Sequence, residues 1–214
     1  MICMEKIGVF GGTFNPVHNG HLEVIRAAKN QLKLDQVLLI PTFQPPHKQA
    51  RHLVPPEDRL AMCRLAVKDM PYVRVSDLEI CREGKSYTYE TLETLKSQYP
   101  QARFHFLMGS DMFFTVQDWR HSERIAQYAV IVCMAREKGE LPRLQEHAKR
   151  LALLGFESFV LEVSPFPVSS TKIRTNIKKF NNLLHYVPKS VLEYIYVRGL
   201  YELPRGRTFY DLRP

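Results

Sequence analysis

Apolar residues fall along this chain in two patterns, and their alternation predicts the fold. Consecutive apolar runs occur at residues 7–10, 37–40 and 129–135, with another at 104–108 interrupted only by His105. Runs of this length read as strands covered on both faces, the mark of a central parallel sheet. Residues 73–75 and 158–162 supply shorter strand candidates. Between them the spacing becomes helical. Leu22, Val24, Ile25, Ala27 and Ala28 form one stripe within residues 21–31. Leu60, Cys63, Ala66 and Val67 form another after Pro56-Glu57-Asp58, and Leu92 and Leu95 mark a third within residues 89–95. A charged, exposed helix is expected between Arg136 and Leu153, and a last helix from a capping-box pattern, Ser190-Val191-Leu192-Glu193, to Gly199. Strands and helices that alternate imply right-handed βαβ units. The expected class is α/β, a Rossmann-like doubly wound, mainly parallel sheet with helices on both faces. A single domain should cover residues 1–201, with a tail at 202–214 to which no role is assigned.

Composition narrows the function. The 214 residues are 45% hydrophobic and 24% charged, an ordinary globular balance. No apolar run approaches the ~20 residues needed to span a bilayer, and Met1 to Lys6 lacks the form of a signal peptide. A cytoplasmic protein without a membrane role is expected. Cys3, Cys63, Cys81 and Cys133 include no C-x-x-C pair, so zinc and a disulfide framework are poorly supported. Cys63 and Cys133 read as reduced core residues. The net charge of +8 raises nucleic-acid binding. However, the basic residues are dispersed and no aromatic recognition pattern accompanies them, so no nucleic-acid partner is expected. A positive balance also suits an enzyme acting on phosphate-bearing substrates.

Candidate chemistry concentrates near the start, in the string from Gly8 through Gly11-Gly12-Thr13-Phe14-Asn15-Pro16 to His18 and His21. A strand that ends in paired glycines before a helix start offers close backbone approach, unpaired N–H groups and a positive dipole end, a setting for phosphate. Prolines between residues 41 and 56 make a loop bearing His47, Lys48 and Arg51, either a solvated basic loop or one that reaches phosphates at the first loop. Ser86 or Thr88 would cap the helix that follows residues 83–88. Gly109-Ser110-Asp111 closes a strand, where Asp111 suits a ribose hydroxyl or the N-cap of the next helix. Trp119 in polar surroundings is a core residue or a stacking platform for a flat ligand. Ser169, Ser170 and Thr171, with Arg174 one turn on, are a capped helix start or a second triphosphate contact.

Together these blocks resemble the bacterial nicotinate-nucleotide adenylyltransferase family, within the nucleotidyltransferases that carry a His-x-Gly-His motif. The resemblance covers about residues 5–201 and rests on Gly-Gly-Thr-Phe-x-Pro-x-His-x-Gly-His, Pro-Pro-His-Lys, Ser-Tyr-Thr-x-x-Thr-Leu, Gly-x-Asp, a following tryptophan and Ser-Ser-Thr-x-Ile-Arg. It implies adenylyl transfer from ATP, accompanied by Mg²⁺, to nicotinate mononucleotide, giving nicotinate adenine dinucleotide and pyrophosphate. His18, His21, Lys48 and Arg174 would carry the catalytic charge stabilisation. Gly11, Gly12, Thr13, Phe14, His18, His21, Gly109, Asp111, Ser169, Ser170, Thr171 and Arg174 match the ATP site. Thr13, His47, Lys48, Tyr87, Thr88 and Trp119 match the mononucleotide site. No metal site of the protein's own is expected, and a homo-oligomer is possible. The chain departs from the family pattern at Asn15, where aspartate is customary, at Ser110, and at residues 134–137, where Arg-Pro-Gly is missing. Pantetheine-phosphate and cytidylyl transferases share the first and last blocks, and a non-catalytic nucleotide-binding factor is the alternative from another class.

Overall fold

The computed structural model describes residues 4–45, 53–136, 139–164, 166–178 and 183–203. Six strands, β1 (Lys6–Gly12), β2 (Gln36–Pro41), β3 (Val73–Val75), β4 (Arg103–Gly109), β5 (Ala129–Ala135) and β6 (Ser158–Glu162), form one sheet in the order β3-β2-β1-β4-β5-β6. Every pairing between them is parallel. The chain winds outward from β1 to β3, then returns to place β4 on the other side of β1. This is the doubly wound order anticipated above. It splays the connections after β1 and β4 to opposite faces, so a crevice opens beyond their carboxyl ends.

Burial on both faces explains the continuous apolar strands. Phe10, Leu39, Leu107 and Val132 point into one core, shared with α1 (Asn19–Leu32), α2 (Pro56–Ala66), α8 (Ser170–Thr175) and α9 (Lys189–Arg198). Their neighbours Val9, Leu38, Phe106 and Ile131 alternate into a second core against α4 (Thr88–Gln98), α6 (Ser122–Tyr128) and α7 (Leu141–Leu153). Each such side chain contributes about 1.5–3 kcal/mol when fully buried, so a one-residue slip of a strand would exchange two packed faces.

Several local expectations are corrected. In α2 the fully buried positions include Arg59, Met62 and Cys63, with Leu60 only half-buried. Helix α7 starts at Leu141 rather than Arg136 and buries Leu144 and Leu151. Tyr87 is the N-cap of α4 and no side chain caps it. The Ser86 hydroxyl instead accepts the Phe43 N–H at 3.0 Å. The last helix begins after Pro188 without the capping box, and Ser190 donates to Leu65 O at 3.2 Å, a tertiary contact that outcompetes the local one. It ends as expected at Gly199, in the left-handed region with φ 62°. Cys63 and Cys133 are buried thiols, as anticipated.

Candidate active site

The loop between β1 and α1 is built by close packing. A β-carbon on Gly12 would lie 2.9 Å from the Phe14 ring, and one on Gly20 would lie 3.2 Å from the His18 ring and 3.1 Å from Val168. Glycine at both positions lets the chain fold tightly enough to place His18 at the N-cap of α1. The His18 and His21 rings then stack at 3.6 Å between centroids, tilted by 21°. His21 also packs edge-on against Phe14 at 5.0 Å.

Electrostatics give this pair a definite state. His18 is 3% exposed, and burial, with Arg136 adding a like charge, lowers its pKa to about 3. His21 is pushed well below its ordinary value by burial first, then by His18 and Arg136. Charging both stacked rings would cost about 4 kcal/mol at an effective dielectric near 20. Both rings therefore stand neutral at pH 7. The His18 backbone N–H donates to His21 Nδ1 at 3.1 Å, so the neutral His21 ring carries its proton on Nε2. His18 Nδ1 is buried without a hydrogen-bond partner among the described residues. The pair thus offers neutral imidazoles, with Nε2–H on His21, rather than fixed positive charge.

The Ser169–Arg174 segment meets this loop directly. Ser169 caps α8, accepting the Lys172 N–H at 3.2 Å. Ser170 donates to Pro16 O at 2.9 Å, and Arg174 Nη1 donates to Asn15 O at 2.8 Å while Nη2 donates to Thr171 Oγ1 at 3.2 Å. Asn15 Oδ1 accepts from Tyr201 at 2.9 Å and from the Val54 N–H at 3.4 Å, so asparagine pins the loop through its side chain as well as its backbone. Residues 154 and 159 positions apart in sequence are thus joined into one structure around the histidines.

Beside it lies a cavity of about 260 Å³ at the carboxyl ends of β1, β2 and β4. Gly11, Gly12, Thr13, Tyr87, Thr88, Gly109 and Trp119 all line it, seven of the residues proposed from sequence. Trp119 is half-buried, with its ring edge-on to Phe106 at 6.3 Å and Nε1 donating to Thr115 at 3.3 Å. It therefore belongs partly to the core and partly to the cavity wall. Asp111 is exposed in the first turn of α5 (Ser110–Phe113), whose N-cap is Gly109, and does not line the cavity. Phe14 is buried under the histidines rather than facing the cavity. Ser169 and Thr171 are exposed. His47, Lys48 and Arg51 lie outside the described residues.

Two residues of this region escape sequence reasoning. Arg59 is fully buried and donates to four carbonyls: Val54 at 3.2 Å, Thr13 at 2.9 Å, Thr42 at 2.6 Å and Phe43 at 2.9 Å. It ties the loop after β1 to the loop after β2. Its only sequence signal is a place on the same helical face as Met62 and Cys63, which its charge disguises. Arg120 lines the cavity with its guanidinium 4.8 Å from the Tyr87 ring centre.

Residues 9–176 match the cytidylyltransferase-like family model. A relative from Desulfitobacterium hafniense strain Y51, named "Probable nicotinate-nucleotide adenylyltransferase", is 35% identical over 204 residues, covering 93% of this chain and 97% of its own. One of the same name from Roseiflexus sp. strain RS-1 is 38% identical over 198 residues, covering 91% and 97%. The chain belongs to this nicotinate-nucleotide adenylyltransferase family. The fold agrees: Plasmodium falciparum nicotinic acid mononucleotide adenylyltransferase complexed with NaAD superposes with TM-score 0.75 at 18% identity, over 94% of this chain and 98% of that one. In this family setting, the cavity beside the histidine loop is the candidate active site.

Proposed function

We propose that the protein transfers an adenylyl group from ATP to nicotinate mononucleotide, forming nicotinate adenine dinucleotide and pyrophosphate for NAD synthesis. The observation that carries this reading is the junction of two parts at one sheet crevice. A mostly apolar, tryptophan-walled cavity suited to flat rings adjoins a loop where His18, His21, Ser170 and Arg174 converge. Membership of the family supports the same substrates.

The mononucleotide phosphate is already a nucleophile at neutral pH, so its oxygen attacks the ATP α-phosphorus in line and pyrophosphate departs. No protein nucleophile or general base is needed. The protein's work is positioning and stabilisation of charge on the reacting oxygens. His21, partly exposed at the helix start, presents Nε2–H to phosphate oxygen. Arg174 keeps further N–H groups beyond its two contacts and would turn them to the triphosphate. Lys48 is assigned to phosphate on the resemblance alone. Mg²⁺ enters with ATP as part of the substrate and neutralises phosphate charge. Trp119 stacks on the pyridine ring, and N–H groups at the start of α4 donate to its carboxylate.

The test is pyrophosphate release from MgATP with nicotinate mononucleotide, nicotinamide mononucleotide and phosphopantetheine, and from MgCTP with the first. Strong preference for MgATP with nicotinate mononucleotide is expected. Equal rates with the two mononucleotides would overturn the acid-specific reading, and preference for CTP or phosphopantetheine would replace it.

A further inference from the structure

Among the described residues that line the cavity only two are charged, Arg120 at the exposed rim and Glu79, which is 5% exposed. Glu79 belongs to α3 (Leu78–Arg82) and takes no part in the mechanism above. Its Oε1 accepts the Thr91 hydroxyl at 2.7 Å, and the Ser86 hydroxyl is also directed at the carboxyl group. Its Oε2 is buried without a hydrogen-bond partner among the described residues.

Both hydroxyl-bearing residues, Ser86 and Thr91, line the cavity. Ser86 accepts the Phe43 N–H at 3.0 Å through its hydroxyl, while its own N–H donates to Gln44 O at 3.0 Å. A parallel bridge joins Gln44 and Lys85 at the same place. Thr91 lies one turn into α4, and its backbone N–H reaches back to Tyr87 O at 3.3 Å. Arg82 donates to the Thr91 hydroxyl at 3.1 Å and lies 3.5 Å from Glu90, which fixes the far side of the cluster. One buried carboxyl group therefore clamps the segment 86–91 between the loop after β2 and the body of α3. That segment contains Tyr87 and Thr88, where the eleven-residue α4 begins on the cavity wall with no side-chain cap. Its first N–H groups are the ones left for a ligand.

We propose that Glu79 is the positioning residue for substrate choice at this site. Through Ser86 and Thr91 it holds the N–H groups at the start of α4 where they receive a ring-borne carboxylate, and so sets the preference for the acid over the amide mononucleotide. Burial pushes the Glu79 carboxyl above its ordinary range, which weakens repulsion of an anionic ring from the cavity. The proposal rests on the adenylyl-transfer reading and assigns the specificity of that same site. An amide facing fixed N–H donors brings donors of its own and leaves groups unpaired, whereas a loosened helix start no longer enforces this difference.

The experiment compares the parent protein with Glu79→Ala, Glu79→Gln and Ser86→Ala. For each, kcat and KM are measured for both mononucleotides and for ATP, alongside a thermal melt. Glu79→Ala and Ser86→Ala should raise KM for nicotinate mononucleotide and lower the acid-to-amide ratio of kcat/KM by on the order of tenfold, with KM for ATP within about twofold. Glu79→Gln keeps the carbonyl acceptor and should remain within about threefold of the parent ratio. An unchanged ratio in a folded Glu79→Ala or Ser86→Ala protein overturns the proposal. So does equal loss for acid, amide and ATP, which marks a general structural role, or a Glu79→Gln protein as unselective as Glu79→Ala. A parent that transfers adenylyl to neither mononucleotide defeats the adenylyl-transfer reading itself, whereas a selective parent with an equally selective Glu79→Ala defeats only the role of Glu79.

Discussion

Acid should destabilise this protein through its histidine pair, and the effect can be isolated at His18. An unfolded histidine titrates near 6.5, whereas the folded His18 is held at about 3 by burial and by Arg136. Between those values the unfolded chain binds a proton that the folded one refuses, so stability rises with pH there and is lost as pH falls below 6.5. At pH 5.5, one unit below the unfolded value, His18 alone lowers stability by about 1.4 kcal/mol. The 3% exposure of the residue leaves little solvent screening to reduce that figure. For a chain of this size, the loss equals a fall in Tm of roughly 3–6 °C. Urea unfolding of the parent and of His18→Gln at pH 7.5, 6.5 and 5.5 gives the comparison. The substitution lowers stability at every pH by disturbing the stack, but it deletes one titration. The decline from pH 7.5 to 5.5 should be smaller by about 1.4 kcal/mol in the variant. Equal declines in the two proteins would refute the neutral His18, and with it the view that the helix start offers N–H groups rather than fixed charge. His21 acts in the same direction.

Other perturbations probe the architecture around the site. Arg59→Met strands four backbone carbonyls, and should cost about 3 kcal/mol or more in urea unfolding. Arg59→Lys should recover only part, because an ammonium cannot copy the fork of the guanidinium. Gly12→Ala drives a methyl to within 2.9 Å of the Phe14 ring. It should cost about 1–3 kcal/mol and reduce kcat/KM for both substrates by displacing the ring that supports His21, whereas wild-type turnover would show that the packing is not limiting. Trp119→Ala removes the ring at the cavity wall and should raise KM for the mononucleotide by about 2- to 12-fold, with KM for ATP little changed in steady-state kinetics.

Much of the fold was legible because the strands of a parallel sheet must be apolar on both faces. The runs at 37–40 and 129–135 could hardly be anything else, and both became interior strands, each one in from an edge of the sheet. Helix starts were less legible. Ser86 and Ser190 both look like caps, yet each spends its hydroxyl on a distant group. A cap is worth about 1 kcal/mol, which one tertiary hydrogen bond can match. Glycines and an aromatic that stood out in the sequence, Gly11, Gly12, Gly109 and Trp119, come together around the cavity. Asp111 follows Gly109 in the same motif yet stands exposed in the first turn of α5, because a residue's place in a motif does not say which way its side chain turns.

By itself, the sequence determined that this chain folds as a doubly wound α/β protein with a phosphate-suited loop after its first strand. Local spacing, the Gly11-Gly12 pair and the run from Gly12 to His21 suffice for that, because they restrict backbone geometry over a few residues. Only the tertiary structure decided the electrical state of the histidines, the burial of Arg59 and the clamp made by Glu79. Those properties depend on what is packed against each group. Residues 15 and 174, or 43 and 86, meet only after the sheet has assembled. Desolvation and hydrogen bonding across such distances turn ordinary side chains into a neutral imidazole pair, a buried cation shared by four carbonyls and a carboxyl group that holds the wall of the cavity.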